Sequence, residues 1–189
     1  MKTLNFRKMT LQSMLFALLI VFTLNSLAQD KKETKQERKE RQKQEQKKKF
    51  EKAKASMYDT AFVVPAESVQ IRGGRMMMVN RTINFVQLIG TEGVVQIGSD
   101  FASQPGLNNL GGVTLKGPIS NIKISEKKER IFMTFTITDV IGIVRVAVTI
   151  NGSNDAVVDV DGMFSGRAFT MRGNLIDFKE AGIYEGFSY

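Results

Sequence analysis

The sequence predicts a mainly β protein, an antiparallel sandwich or an open, lipocalin-like barrel, behind one charged N-terminal α-helix. Three observations lead to that class. Residues 131–150, IFMTFTITDVIGIVRVAVTI, alternate in period two on both sides of a turn, the pattern of two half-buried strands. Short apolar and β-branched runs divided by Gly, Pro and Asn fill the chain on either side of that hairpin. Residues 30–56 hold neither Gly nor Pro and are almost wholly Lys, Glu, Gln and Arg, all good helix formers.

The chain opens on a pattern of export. Lys2, Arg7 and Lys8 precede the apolar run Met14–Leu24, and Ser26 and Ala28 supply small residues at the −3 and −1 positions of a signal-peptide cleavage site. Cleavage between Ala28 and Gln29 is expected, with 1–28 as signal peptide. The apolar run is shorter than the roughly 18 residues of a spanning helix, so no transmembrane helix is expected after its removal. The chain has no cysteine, which excludes disulfides and a thioether-linked lipid anchor. A periplasmic or secreted protein that is not a lipoprotein follows.

Net charge is +8, but it is not spread over a binding face. Residues 30–54 carry twelve Lys/Arg against six Asp/Glu, whereas 55–189 carry twelve against thirteen. A nucleic-acid interface is therefore not expected, and basicity belongs to a charged helical linker, residues 29–56. Glu37–Arg41 and Glu45–Lys49 are i,i+4 pairs in the favourable order. Apolar residues begin at Phe50, and Phe50, Ala53 and Met57 share one stripe that should dock on the sheet. The part before them reads as a solvated spacer, with contact to an anionic envelope surface through residues 30–54 as its functional alternative.

Residues 57–189 read as the β domain. Ala61–Val64 should end at Pro65; Ser68–Ile71, Arg75–Val79, Thr82–Ile89 and Val94–Ile97 follow as short strands. Met76–Met78 suggest soft-metal thioethers, but alternate residues of a strand point apart, so adaptable core packing is the reading. Arg72-Gly-Gly-Arg75 reads as a turn. Residues 98–112, GSDFASQPGLNNLGG, form a connection of a length that is usually functional or disordered. Its apolar anchors Phe101 and Leu107, set among Gln104, Asn108 and Asn109, are what a recognition loop needs. A loop packed under the sheet would carry the same residues. Gly117-Pro118 should bend the sheet, because proline cannot donate to the ladder.

The double glycine Gly111-Gly112, the corner Gly117-Pro118-Ile119 with Asn121 after it, and the last strand Phe169–Leu175 together resemble domain of unknown function 4251 (DUF4251). This is a family of exported proteins of Bacteroides-like bacteria, and the likeness runs from about Phe50 to Leu175. It implies a mostly antiparallel β domain and brings no catalytic residues with it.

In the central hairpin, a four-residue loop with Gly142 at φ > 0 pairs Thr138 with Ile143, Ile137 with Val144, Phe135 with Val146, Met133 with Val148 and Ile131 with Ile150. A slip of one residue would set the valines opposite the threonines. The other face then carries Phe132, Ile143 and Ala147 among Thr134, Thr136, Arg145 and Thr149. This lining suits a pocket for an amphipathic ligand, with Phe132 and Arg145 as candidate ligand residues; the alternative lays the helix stretch Phe50–Met57 over Phe132. Asp159-Val-Asp161-Gly162 looks like half a calcium loop, but the first and twelfth positions would be Val157 and Ala168, so no metal site is assigned. The tail 176–189 reads as an edge strand or an exposed aromatic patch.

Without histidine or cysteine, His-assisted and thiol nucleophiles and His/Cys metal sites are excluded. A two-carboxylate glycosidase stays formally open through Asp155, Asp159, Asp161 and Glu185. The leading expectation is a non-catalytic binding protein, without cofactor, for a small or lipid-like ligand or a protein partner. The alternatives are an envelope structural protein tethered by its helix and, last, that glycosidase.

Overall fold

The computed structural model describes residues 34–71, 74, 76–98, 112–140, 142–163, 167–186 and 188. Helix α1, Lys35–Tyr58, begins at a capping box. The Glu37 amide donates to Thr34 Oγ1 at 3.2 Å, while the Thr34 amide and hydroxyl donate to Glu37 Oε2 at 2.8 and 3.0 Å. The bond from the Thr34 backbone, then that from its hydroxyl, holds the Glu37 carboxyl below its usual pKa. Its contribution to the helix start is therefore present above the ordinary carboxylate value and lost as pH falls through the lowered one. All residues from Thr34 to Lys49 are exposed; burial starts at Phe50 and continues at Ala53, Ser56 and Met57, as the apolar stripe requires. The helix runs two residues past position 56, and one compact unit begins already at Lys43.

Among the described residues ten strands follow: β1 (Ala61–Ile71), β2 (Met76–Met78), β3 (Phe85–Ile89), β4 (Glu92–Ile97), β5 (Val113–Lys127), β6 (Arg130–Asp139), β7 (Gly142–Asn151), β8 (Asp155–Met163), β9 (Arg167–Asn174) and β10 (Ile176–Asp177). Eight of them form an antiparallel ring, β1-β3-β4-β5-β6-β7-β8-β9, closed by pairing of β9 with β1. Of the two architectures that the strand pattern allows, the barrel is the one built. It is a closed ring, which leaves only β2 and β10 off the path.

Two long strands turn the corners. β1 pairs with β3 through Pro65↔Phe85 and with β9 from Ala66↔Gly173 onward. β5 pairs with β4 through Pro118↔Glu92 and with β6 from Ile119↔Ile137 onward. Each corner has a proline where the partner changes and a glycine where two backbones touch. A Cβ on Gly117 would lie 1.9 Å from the Thr138 carbonyl oxygen, and one on Gly173 would lie 2.1 Å from that of Pro65. The bend expected at Gly117-Pro118 is therefore present. The strand end expected at Pro65 is not: β1 continues to Ile71, because a missing N–H is tolerated where one ladder hands over to the next.

The central hairpin keeps the expected register in all five pairs. Its turn is tighter than the four-residue loop, since Asp139 pairs with Gly142; the glycine has φ +156°, positive but not left-handed helical, and serves as the first strand residue. Ile131, Met133, Phe135 and Ile137 join Val144, Val146, Val148 and Ile150 inside the barrel. Phe50, Ala53 and Met57 of α1 belong to the same cluster. The helix packs where β1 begins and the β5–β6 turn lies, with Lys54 Nζ 2.8 Å from Glu126 Oε1. It does not cover Phe132, which is 38% exposed on the barrel's exterior.

Met76–Met78 correct the core reading: all three are exposed, at 57, 39 and 75%, while Met57, Met133 and Met171 fill the core. The reason is topological. β2 pairs with β1 alone and contributes nothing to the ring, so neither of its faces meets the interior.

The tail beyond β9 closes over the outer face of β1, β3 and β4. β10 pairs with β1 at Phe62↔Asp177 and Val63↔Ile176, a 3-10 turn follows at Phe178–Glu180, and Ile176, Ala181 and Ile183 cover Val63, Phe85 and Val94. Gln96, fully buried, fastens it. Its Nε2 donates to the carbonyls of Tyr184 at 2.7 Å and Ile83 at 3.1 Å; its Oε1 accepts from the Gly186 amide at 2.7 Å and the Thr114 hydroxyl at 3.0 Å. Lys116 adds ion pairs to Glu185 at 2.8 Å and Glu92 at 3.2 Å. The Glu185 hydrogen bond raises the Lys116 pKa, so this support holds below the ordinary lysine value and is lost as pH rises through the raised one.

Candidate functional site

Plain alternation is broken at three places in the described barrel, between Ala66 and Ser68 of β1, Ser120 and Lys123 of β5, and Val160 and Met163 of β8, and the one in β5 shapes a recess in the outer wall. On β5, Ser120 pairs with Thr136 but Lys123 pairs with Thr134, so Asn121 and Ile122 stand together opposite Phe135 as a β-bulge. Asn121 takes φ 55°, the left-handed conformation that a bulge asks of one residue and that asparagine tolerates well. The extra residue keeps both Ile119 and Ile124 against the core and turns Lys123 outward.

Thr136 pairs with Arg145 of β7 and Thr134 with Ala147, which completes the surroundings. Asn121, Lys123, Thr134, Thr136 and Arg145 line a surface recess of about 300 Å³ floored by Phe135. The side chains of Lys123 and Arg145 are exposed and make no hydrogen bond or ion pair among the described residues. Asp161 stands opposite Arg145 in the next ladder without forming an ion pair. Two cations, two hydroxyls and an amide around one hollow offer donors to an anionic oxygen cluster. Phe132, two residues before Thr134 on the same face, adds an exposed apolar step. It lines a neighbouring open recess with Lys127, Lys128, Arg130 and Asn151 at the β5–β6 turn.

Of the candidate ligand residues, Arg145 and Phe132 thus share the outer wall but not one recess. Phe101, Gln104, Leu107, Asn108 and Asn109 lie outside the described residues, as do Gly111 and the Ala28–Gln29 junction. Gly112, Gly117, Pro118 and Gly142 stand at strand starts and at the β5 corner. The carboxylates do not converge. Asp159 and Asp161 point outward from β8, with Asp159 accepting from the Thr170 hydroxyl; Asp155 bonds Ser153 in a turn; Glu185 pairs with Lys116 in the tail. Among the described residues, no three carboxylates gather where a metal ion could be held.

Sequence reasoning missed Asn121 and Lys123, whose placement depends on the bulge, and Gln96. For Gln96 a signal existed, a lone amide inside the apolar run Val94-Val95-Gln96-Ile97.

The DUF4251 family, a domain of unknown function, matches residues 44–175, which takes in the barrel with both corners and the bulge. The chain belongs to the DUF4251 family. A crystal structure of a DUF4251 protein from Bacteroides eggerthii is similar at 30% identity and TM-score 0.61, over 72% of this chain and 97% of that one. No curated protein matches the chain. The tail from Ile176 and the exposed first half of α1 lie beyond the matched DUF4251 segment.

Proposed function

We propose that this DUF4251 protein is an exported, non-catalytic binding protein whose outer wall receives an anionic group of an amphipathic ligand. The observation that carries the reading is the bulge recess, where the side chains of Lys123 and Arg145, without partners among the described residues, stand beside Thr134, Thr136 and Asn121. A carboxylate, phosphate or sulfate would take the guanidinium and ammonium hydrogen bonds, and Phe132 would support an apolar part beside it. An interior, lipocalin-like ligand site has less support. The inward side chains from β6, β7, β8, β1 and α1 form one buried cluster.

Titration with inorganic phosphate, glycerol phosphate and glucuronate, followed by NMR, tests the recess. Amide shifts are expected at Asn121, Lys123, Thr134, Thr136 and Arg145, and they should vanish in Arg145→Ala and Lys123→Ala, whose fold is kept because both side chains are exposed. Absence of any shift, or shifts confined to another surface, would end this reading. A cognate ligand at a hundredfold over its Kd should stabilise the fold by about 2.7 kcal/mol.

The exported compartment is supported by the basic, apolar and small-residue pattern of residues 1–28. Mass spectrometry of the periplasmic fraction should find a chain beginning at Gln29. An intact Met1 would overturn it.

A further inference from the structure

We propose that the methionine run of β2 is a sacrificial oxidation site, where two-electron oxidants such as hydrogen peroxide end as methionine sulfoxide without disturbing the barrel. Among the described side chains the methionines form two sets. Met57, Met133 and Met171 lie in the core, while Met76, Met77 and Met78 are exposed. An unbroken exposed run needs a reason, because methionine is a residue of interiors. Packing does not supply one. β2 pairs with β1 alone, and none of its side chains belongs to the core cluster.

Leucine would give the same apolar surface; what methionine adds is an oxidisable thioether. The chain has neither cysteine nor tryptophan, so its thioethers are the side chains that peroxide oxidises most readily. Alternation turns Met76 and Met78 to one side of β2 and Met77 to the other. Oxidant therefore meets sulfur from either side. A soft metal ion would find only Met76 and Met78 together, and neither histidine nor cysteine exists to complete its ligands.

The reaction balances within the thioether and the peroxide. A sulfur lone pair attacks one peroxide oxygen, the O–O bond breaks and an S–O bond forms. The proton on the transferred oxygen passes to the departing hydroxide. The thioether is oxidised by two electrons to the sulfoxide, and the peroxide is reduced to water. In the core the polar sulfoxide would break the packing around Met57, Met133 or Met171. On β2 it stays in solvent, and the ladder with β1 at Ser68↔Met78, Val69↔Met77 and Gln70↔Met76 is made by backbone groups. The inference is independent of the bulge recess, which lies on β5, β6 and β7.

Peptide mapping by mass spectrometry tests it, using the chain from Gln29 onward and limiting hydrogen peroxide. Sulfoxide is expected first at Met78, then at Met76, then at Met77, the order of their exposure at 75, 57 and 39%. Met57, Met133 and Met171 should react at least about tenfold more slowly, since oxidant reaches them only through local opening. Protein carrying sulfoxide at all three β2 positions should keep its Tm within about two degrees of the unoxidised chain. The triple variant Met76→Leu/Met77→Leu/Met78→Leu should fold equally well. At the same peroxide dose it should oxidise its core methionines, and lose Tm, earlier than wild type. Core sulfoxide that forms as fast as that on β2, or a fall in Tm when β2 alone is oxidised, would overturn the site. So would equal core damage in the variant and the wild type.

Discussion

Gly117→Ala is expected to destabilise the barrel by about 3 kcal/mol, a drop of roughly ten degrees in Tm for a domain of this size. The added Cβ would sit 1.9 Å from the Thr138 carbonyl oxygen and 2.9 Å from its carbon. Both are backbone atoms of a paired strand, so no flexible side chain can yield. Either β5 moves away from β6 or the Thr138 peptide rotates. Each of those disturbs the corner at which β5 passes from β4 to β6. Gly182→Ala is the control, because a Cβ there meets nothing within 4 Å, and it should be neutral. Urea unfolding of both variants decides. A Gly117→Ala protein within about 0.5 kcal/mol of wild type would mean that the two backbones do not approach as described.

Gln96→Leu is expected to cost about 3–4 kcal/mol, although it keeps side-chain volume and buries a more apolar residue. The buried amide uses both donors and both acceptor positions, and three of its four partners lie outside its own and its neighbouring strand. Removing it leaves the Gly186 amide and the Tyr184 carbonyl without this partner and loosens the tail over Val63, Phe85 and Val94. Hydrogen exchange should therefore rise in residues 181–186 first, ahead of the hairpin β6–β7. A chain ending at Leu175 should lose a similar amount of stability, and adding Gln96→Leu to it should cost distinctly less than in the full chain. Full additivity of the two changes would show that Gln96 does not act through the tail.

The parts legible in the sequence are those governed by neighbours along the chain. The β6–β7 register could be read because alternation has a period of two and a slip by one reverses every side chain. The Gly117-Pro118 corner could be read because proline's missing donor and glycine's missing Cβ constrain any strand containing them. Pro65 carries the same constraint but, along the chain alone, reads as a strand end. It too sits at a corner, but the compensating glycine, Gly173, is more than a hundred residues away. Three of the five polar residues around the recess were legible for a similar reason. Arg145, Thr134 and Thr136 follow from the hairpin register, whereas Lys123 and Asn121 reach that face only through a bulge that breaks the alternation. The methionine run misleads because three apolar residues in a strand signal burial only if the strand has a covered face, and β2 has none.

By itself, then, the sequence determined the mainly β class, the pairing of its central hairpin, the helix with its apolar end and the absence of histidine and cysteine chemistry. Tertiary structure decided that the sheet closes through β1 and β9, that Gln96 binds a tail some ninety residues downstream, and which side chains surround the bulge. The physical reason is the range of the forces involved. Period, propensity and turn chemistry act over a few residues, while ring closure and a buried amide's partners depend on which distant backbones come to share an edge.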